Sequence, residues 1–320
     1  MYNNICAIGK DVQTSSDVKQ VKAYDQGVGT GYSALDRITG GLEGAGIDKN
    51  IKDMYTFICL NYALDDEIYL FGFSRGAYTA RSIGGFIRNC GLLKPENIQM
   101  VDKAYNLYRD RNSYSSPESD MMTAWRANFC FEDVTPITFI GVWDTVGSLG
   151  IPLSSLATYN KEKYKFHDCT LSSYVKNAYH ALAIDEHRRL FLPTLWEKSV
   201  SSNNSEARED QKLEQRWFVG VHSNIGGGYA DSGLSDIPLS WLATKAQNIG
   251  LCFHDPLTIP NEANYNGEIR DSYGFKYWLF GSKYREINLK DPKYNQTIDD
   301  SVYERYKADA KYRPVNLKLS

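Results

Sequence analysis

Between Ile47 and Tyr62 the apolar residues Ile51, Met54, Tyr55, Ile58 and Cys59 recur at three- and four-residue spacing, which predicts an amphipathic helix. Asp65-Asp66 breaks that pattern. Ile68-Tyr69-Leu70-Phe71 follows as a short continuous apolar run, the form of a strand buried on both faces. Helical spacing returns from Ala77 to Ile87. Residues 95–135 read as helical and partly polar, with a Ser/Pro-rich loop at 112–120. Residues 137–143 form a second strand-like run and 217–221 a third. Residues 172–184 between them read as a helix, as do 239–246 after them. Residues 199–212 are polar and read as a flexible excursion, and beyond Asn261 a Tyr-, Lys- and Asp-rich stretch has little period. Strands alternating with helices predict an α/β fold with a mostly parallel sheet flanked by helices. The division expected is a catalytic domain over residues 1–260 and a Tyr-rich extension over 261–320 packed on the same domain.

Composition narrows the class. Apolar residues make up 42% of the 320, enough for a sizeable core and against global disorder. Net charge is −3 with both signs interspersed, so the basic stripe of a nucleic-acid binder is missing and no nucleic-acid partner is expected. No apolar run approaches the roughly 20 residues of a membrane-spanning helix. The opening Met1-Tyr2-Asn3-Asn4 does not read as a secretory signal peptide. Six cysteines, none in Cys-x-x-Cys spacing, read as buried reduced thiols, and no short-spaced His/Cys pair seeds a zinc site. No cofactor is expected. The glycines between Tyr24 and Gly46 lack the Gly-Lys-Ser/Thr ending of a phosphate-binding loop and read as a surface loop. The 23 tyrosines are spread through the chain and read as core-edge filler.

The polar residues that end the three strand-like runs carry the chemistry. The first run ends in Ser74, the second in Asp144 and the third in His222. In a parallel α/β sheet, functional groups gather at the carboxyl ends of strands, and Ser, Asp, His is the chain order of α/β-hydrolases. Ser74 lies in Gly72-Phe73-Ser74-Arg75-Gly76, a tight strand-to-helix turn in which Gly72 and Gly76 are both expected to be small to avoid collision. Ser74 is therefore the expected nucleophile, His222 the general base and Asp144 the acid that orients it. The Arg75 N–H, directly after the nucleophile, is the expected first oxyanion donor. A second donor has no visible candidate. Asp231 and Asp236 are rival acids but follow His222 in sequence. His187, in Asp185-Glu186-His187-Arg188, is the rival base, while His167, His180 and His254 carry no supporting pattern.

Gly72-Phe73-Ser74-Arg75-Gly76-Ala77-Tyr78-Thr79-Ala80-Arg81 resembles the elbow of the α/β-hydrolase family that contains the type VI secretion phospholipase effectors. So do Gly141–Gly147, Gly220–Tyr229, Tyr24–Thr30, His180–Arg188, Gly233–Asp236 and Tyr312–Leu317. The resemblance implies an α/β-hydrolase fold and a Ser-His-Asp ester hydrolase. It further implies phospholipase action on membrane glycerophospholipids by an antibacterial toxin. Such a toxin would be cytoplasmic in the producer, delivered into a target cell without a signal peptide, and partnered by an immunity or secretion-apparatus protein.

One departure is expected. Family members open with a hydrophobic strand ending in Asp-Gly-Thr, and Asn3-Asn4-Ile5 aligns with the segment that follows it. The usual first strand and its loop are therefore expected to be missing, and with them the second oxyanion donor. An exposed sheet edge would then invite a homodimer or a covering segment. Two alternatives follow: a weakened or inactive member acting as a binding module, and an esterase for small molecules.

Overall fold

A computed structural model of the chain describes residues 19–27, 43–146, 169–198, 210–253, 264–270, 273 and 281–318. Among the described residues, five strands form one parallel sheet: β1 (Tyr69–Phe73), β2 (Phe139–Trp143), β3 (Asn177–Ala183), β4 (Lys212–Phe218) and β5 (Gln296–Ile298), in that spatial order. The register puts Phe73 beside Trp143, Trp143 beside Ala181, and Phe218 beside Ala183, so the carboxyl ends of β1 to β4 lie along one rim.

Side chains alternating along the strands face two main core clusters, and a third, around Trp217, Leu182 and Val302, lies toward β5. Leu70, Ile140, Val142 and Ala178 face a cluster with Tyr55, Phe86, Ile87, Leu92 and Trp125. These come largely from α1 (Glu43–Asn61), α2 (Arg75–Cys90) and α4 (Asp120–Phe129), with α3 (Val101–Arg109) alongside. Phe139, Trp143, Tyr179, Ala181 and Phe218 point the other way and pack on Leu242, Ala243 and Ala246 of α6 (Gly233–Gln247). Helices thus cover both faces, as the periodicity predicts for an α/β sheet. Two further helices, α5 (His222–Gly226) and α7 (Asp300–Ala308), follow β4 and β5. Cys59, Cys90 and Cys130 are free and buried, and burial pushes Cys59 and Cys130 up to about 12.

Four sequence readings are corrected. Residues 172–184 hold the strand β3 instead of a helix. All seven of its residues are buried, so it carries no polar face, and its alanines read as helical only in isolation. The third strand is also longer and earlier than its apolar run, because Glu214, Gln215 and Arg216 belong to it. β1 is expected to be buried on both faces, yet only Leu70 of its residues is buried, and among the described residues it borders β2 alone. The stretch beyond Asn261 supplies β5 and α7, for which no period was read. The expectations for Asn3-Asn4-Ile5 and the first strand, most of the glycine-rich loop, residues 199–209, Cys6, Gly147, His167 and His254 lie outside the described residues.

Candidate active site

Ser74 stands between the last residue of β1 and the first of α2, with φ 57° and ψ −115°. Positive φ costs a serine on the order of 1–3 kcal/mol and persists only where the surroundings enforce it. Here the Ser74 N–H donates to the Trp143 carbonyl at 3.0 Å, and the Ser74 carbonyl accepts the Tyr78 N–H at 3.1 Å. Gly72 makes the turn feasible, because a Cβ there would lie 2.2 Å from the Gly76 carbonyl oxygen. Gly76 itself is different from the expectation: a Cβ at that position meets nothing within 4 Å. Collision therefore demands glycine on one side of Ser74 only. Arg75 is the first residue of the sixteen-residue helix α2, so its peptide group sits at the positive end of the helix dipole.

Asp144 follows β2 directly and also has positive φ, 42°. It is wholly buried, and its carboxylate collects four donors. Oδ1 accepts the Ala183 N–H at 3.0 Å and Arg285 Nη1 at 2.6 Å; Oδ2 accepts Arg285 Nη2 at 2.9 Å and His222 Nδ1 at 2.6 Å. Burial alone would push this carboxyl up, but the Arg285 charge and the hydrogen bonds from His222 and Arg285 outweigh it and hold Asp144 well below the usual carboxylate range. An ionised carboxylate only accepts, so the His222 proton resides on Nδ1 and the Nε2 lone pair faces outward. Ser74 Oγ lies 2.9 Å from that Nε2. The sequence-predicted Ser74, His222 and Asp144 are thus one hydrogen-bonded chain.

His222 opens α5, four residues beyond β4, and is held on every side. Its backbone N–H donates to Glu186 Oε2 at 3.2 Å, and its ring lies 4.6 Å from that of Phe73 and 5.0 Å, edge-on, from that of Phe191. A Cβ on Gly226 would fall 2.1 Å from the Phe73 ring, so the first of the three glycines after His222 is what lets Phe73 reach the imidazole. Glu186 is buried and paired with Arg188 through bonds of 3.0 and 2.8 Å. Burial raises its carboxyl, yet Arg188 brings it below its ordinary value.

The rivals go elsewhere. His187 Nδ1 lies 3.2 Å from the Asp185 carbonyl, and its ring stacks near Tyr273 and Tyr284. His180 is buried on β3, where Nε2 accepts the Thr145 N–H at 3.0 Å and Nδ1 faces Gln215 at 3.2 Å. Burial and the nearby Arg81 charge bring it down to about 3, so it stays neutral and braces the turn after Asp144. Asp231 accepts the Gly233 N–H and Asp236 the Ser232 hydroxyl. Sequence reasoning missed Glu186, Phe191 and Arg285. In the 185–188 segment the sequence points to the histidine, one residue beyond the glutamate whose side chain touches the site. Among the described residues, no group of three or more His, Cys, Asp or Glu is arranged to hold a metal ion, and no helix is long and apolar enough to cross a membrane.

Residues 1–245 match the family model described as T6SS, Phospholipase effector Tle1-like, catalytic domain. The chain belongs to this family. The Tle1-like match spans β1 to β4 and therefore Ser74, Asp144 and His222. Among curated relatives, the Saccharomyces cerevisiae protein described as Uncharacterized protein YEL023C is 27% identical over 209 residues, covering 59% of this chain and 29% of that protein. An uncharacterized protein from Pseudomonas aeruginosa of known structure aligns with a TM-score of 0.34 at 18% identity, over 71% of this chain and 32% of that one. A Tle1 effector solved bound to the VgrG spike of the type 6 secretion system aligns with a TM-score of 0.32 at 21% identity, over 59% of this chain and 31% of that one. The chain spans about a third of the length of each of these relatives.

Proposed function

We propose that this Tle1-like catalytic domain hydrolyses acyl esters of glycerophospholipids with Ser74 as nucleophile, His222 as general base and Asp144 as the orienting acid. The observation that carries the reading is the continuous chain from Ser74 Oγ through His222 Nε2 and Nδ1 to Asp144 Oδ2, at 2.9 and 2.6 Å. Ser74 Oγ attacks the ester carbonyl while its proton passes to Nε2, and the carbonyl oxygen becomes an oxyanion facing the N-terminus of α2, with the Arg75 N–H as donor. Collapse expels the alcohol, which takes the proton back from Nε2, and leaves an acyl-enzyme. Water, deprotonated by His222 in turn, attacks that acyl group and releases the fatty acid and Ser74.

The lipid as substrate comes from the family, and the acyl-transfer chemistry from the geometry. Two features of residues 261–320 support a single catalytic unit: β5 extends the sheet and Arg285 contacts Asp144. The test is fatty-acid release from phosphatidylcholine–phosphatidylglycerol vesicles and from a short p-nitrophenyl ester, for wild type and Ser74→Ala. Release from vesicles that Ser74→Ala abolishes supports the reading. Turnover of the short ester alone restricts the function to small esters, and identical behaviour of the two proteins on both substrates overturns the catalytic assignment.

A further inference from the structure

We propose that Arg285 is a positioning residue of this site: it fixes Asp144 and, by balancing its charge, sets the pH at which His222 becomes able to accept the Ser74 proton. The inference rests on the Ser74–His222–Asp144 reading.

The geometry is specific. Arg285 spans both carboxylate oxygens, with Nη1 on Oδ1 at 2.6 Å and Nη2 on Oδ2 at 2.9 Å. The same guanidinium donates to the Ala183 carbonyl at 2.9 Å and the Phe191 carbonyl at 2.5 Å. It is therefore anchored at once to the end of β3 and to the loop whose Phe191 ring abuts His222. Both side chains of the pair are buried, so solvent screens the charges little. A two-pronged planar fork also fixes the carboxylate plane, which a point charge cannot do.

The electrostatic consequence has a definite sign. Asp144 Oδ2 is shared between Arg285 and the His222 imidazole. With Arg285 present, the carboxylate's charge is already balanced, and its pull on a second imidazole proton is weakened. Without it, Asp144 and His222 as a pair take up a proton at higher pH, whichever member holds it. The other charged groups at the site are Glu186, which accepts the His222 N–H and is itself paired with Arg188. His180, near Asp144, stays neutral. Arg285 is thus the group whose removal changes the charge felt by the pair directly through Asp144.

The experiment follows the rate at which a fluorophosphonate labels Ser74 in the full chain as a function of pH, in wild type, Arg285→Met and Arg285→Lys, with circular dichroism as the measure of folding. Labelling requires neutral His222, so its acid limb reports the pair. Arg285→Met is expected to move that limb to higher pH by about one unit, which by titration slows labelling at pH 7 by up to about tenfold, and the lost fork slows it further. Arg285→Lys keeps the charge and loses the fork, so it is expected to slow labelling while leaving the limb close to its wild-type position. If Arg285→Met does not fold, Arg285→Lys decides: unchanged rate and limb overturn the proposal. A folded Arg285→Met with the wild-type limb overturns it as well. In both cases wild-type labelling, lost in His222→Ala, leaves the catalytic reading standing. Wild type that does not label at Ser74 overturns that reading and this inference together.

Discussion

At the residue scale, the tightest constraint in the site is steric. The Gly76 carbonyl occupies the space a Gly72 Cβ would need, whereas Gly76 faces open space. Gly72→Ala is therefore expected to destabilise the fold by at least about 2 kcal/mol and to remove Ser74 labelling, because the elbow must open. Gly76→Ala is expected to stay within about 0.5 kcal/mol of wild type and keep the label; paired thermal melts decide between the two. Asp144→Asn, which retains shape and removes charge, is expected to lower ester turnover by about 10⁴-fold if the wrong imidazole tautomer results. A stopped assay at pH 7 measures it. Ser74, Asp144 and His222 were legible because each follows an apolar run and a strand end is where chemistry collects. Arg285 was not: it lies in a polar stretch without period or motif, and its partner is 141 residues away. Only the fold brings the two together.

At the scale of elements, the part of the chain up to β2 was legible and the later strands were not. α1, β1, α2 and β2 carry a clear period or a pure apolar run, so their positions follow from side-chain spacing. Unlike β2, equally buried but legible from its aromatic and β-branched residues, β3 failed because it is buried along its whole length and shows no polar alternation, while its alanines favour a helix. It also hides two polar side chains, Asn177 and His180, whose partners come from other segments. β4 was truncated for a related reason, since Gln215 looks like a surface residue and is buried. It bonds the Trp196 N–H at 2.8 Å, the Trp196 carbonyl at 2.9 Å and the Tyr294 carbonyl at 2.6 Å, besides facing His180. Gln215 therefore ties β4 to β3, to the loop before residue 197 and to the segment leading into β5. Gln215→Leu would leave several buried groups unpaired and is expected to destabilise the domain by about 2–4 kcal/mol, read as a lower urea midpoint with unchanged slope.

For the whole molecule, pH acts through carboxyls of opposite tendency, among them Asp185, Asp144 and Glu186. Asp185 accepts the Gly220 N–H at 2.7 Å and the Tyr312 hydroxyl at 3.0 Å, yet burial raises it to about 6. Between its ordinary value near 3.8 and about 6 the unfolded chain has released this proton and the folded chain keeps it. Folding stability from Asp185 therefore falls as pH rises through that window, by at most about 3 kcal/mol. Asp144 and Glu186 are depressed, so their contribution is present above their ordinary values and is lost as pH falls below them. The Asp185 contribution is expected to decline from about pH 4 to pH 6, so that the stability of Asp185→Asn relative to wild type rises through that window; urea titrations at pH 4, 5, 6 and 7 check it.

The long reach of Arg285 also bears on the order in which the molecule is made. A growing chain acquires the serine, the aspartate and the histidine well before residue 285, and in that interval the buried carboxylate has no guanidinium to meet. Synthesis must reach Arg285, ahead of β5, before the charge at the heart of the site can be balanced. A chain released short of that point would carry every residue of the proposed triad without the counter-ion that holds its acid in place, so catalytic competence would arrive only late in translation.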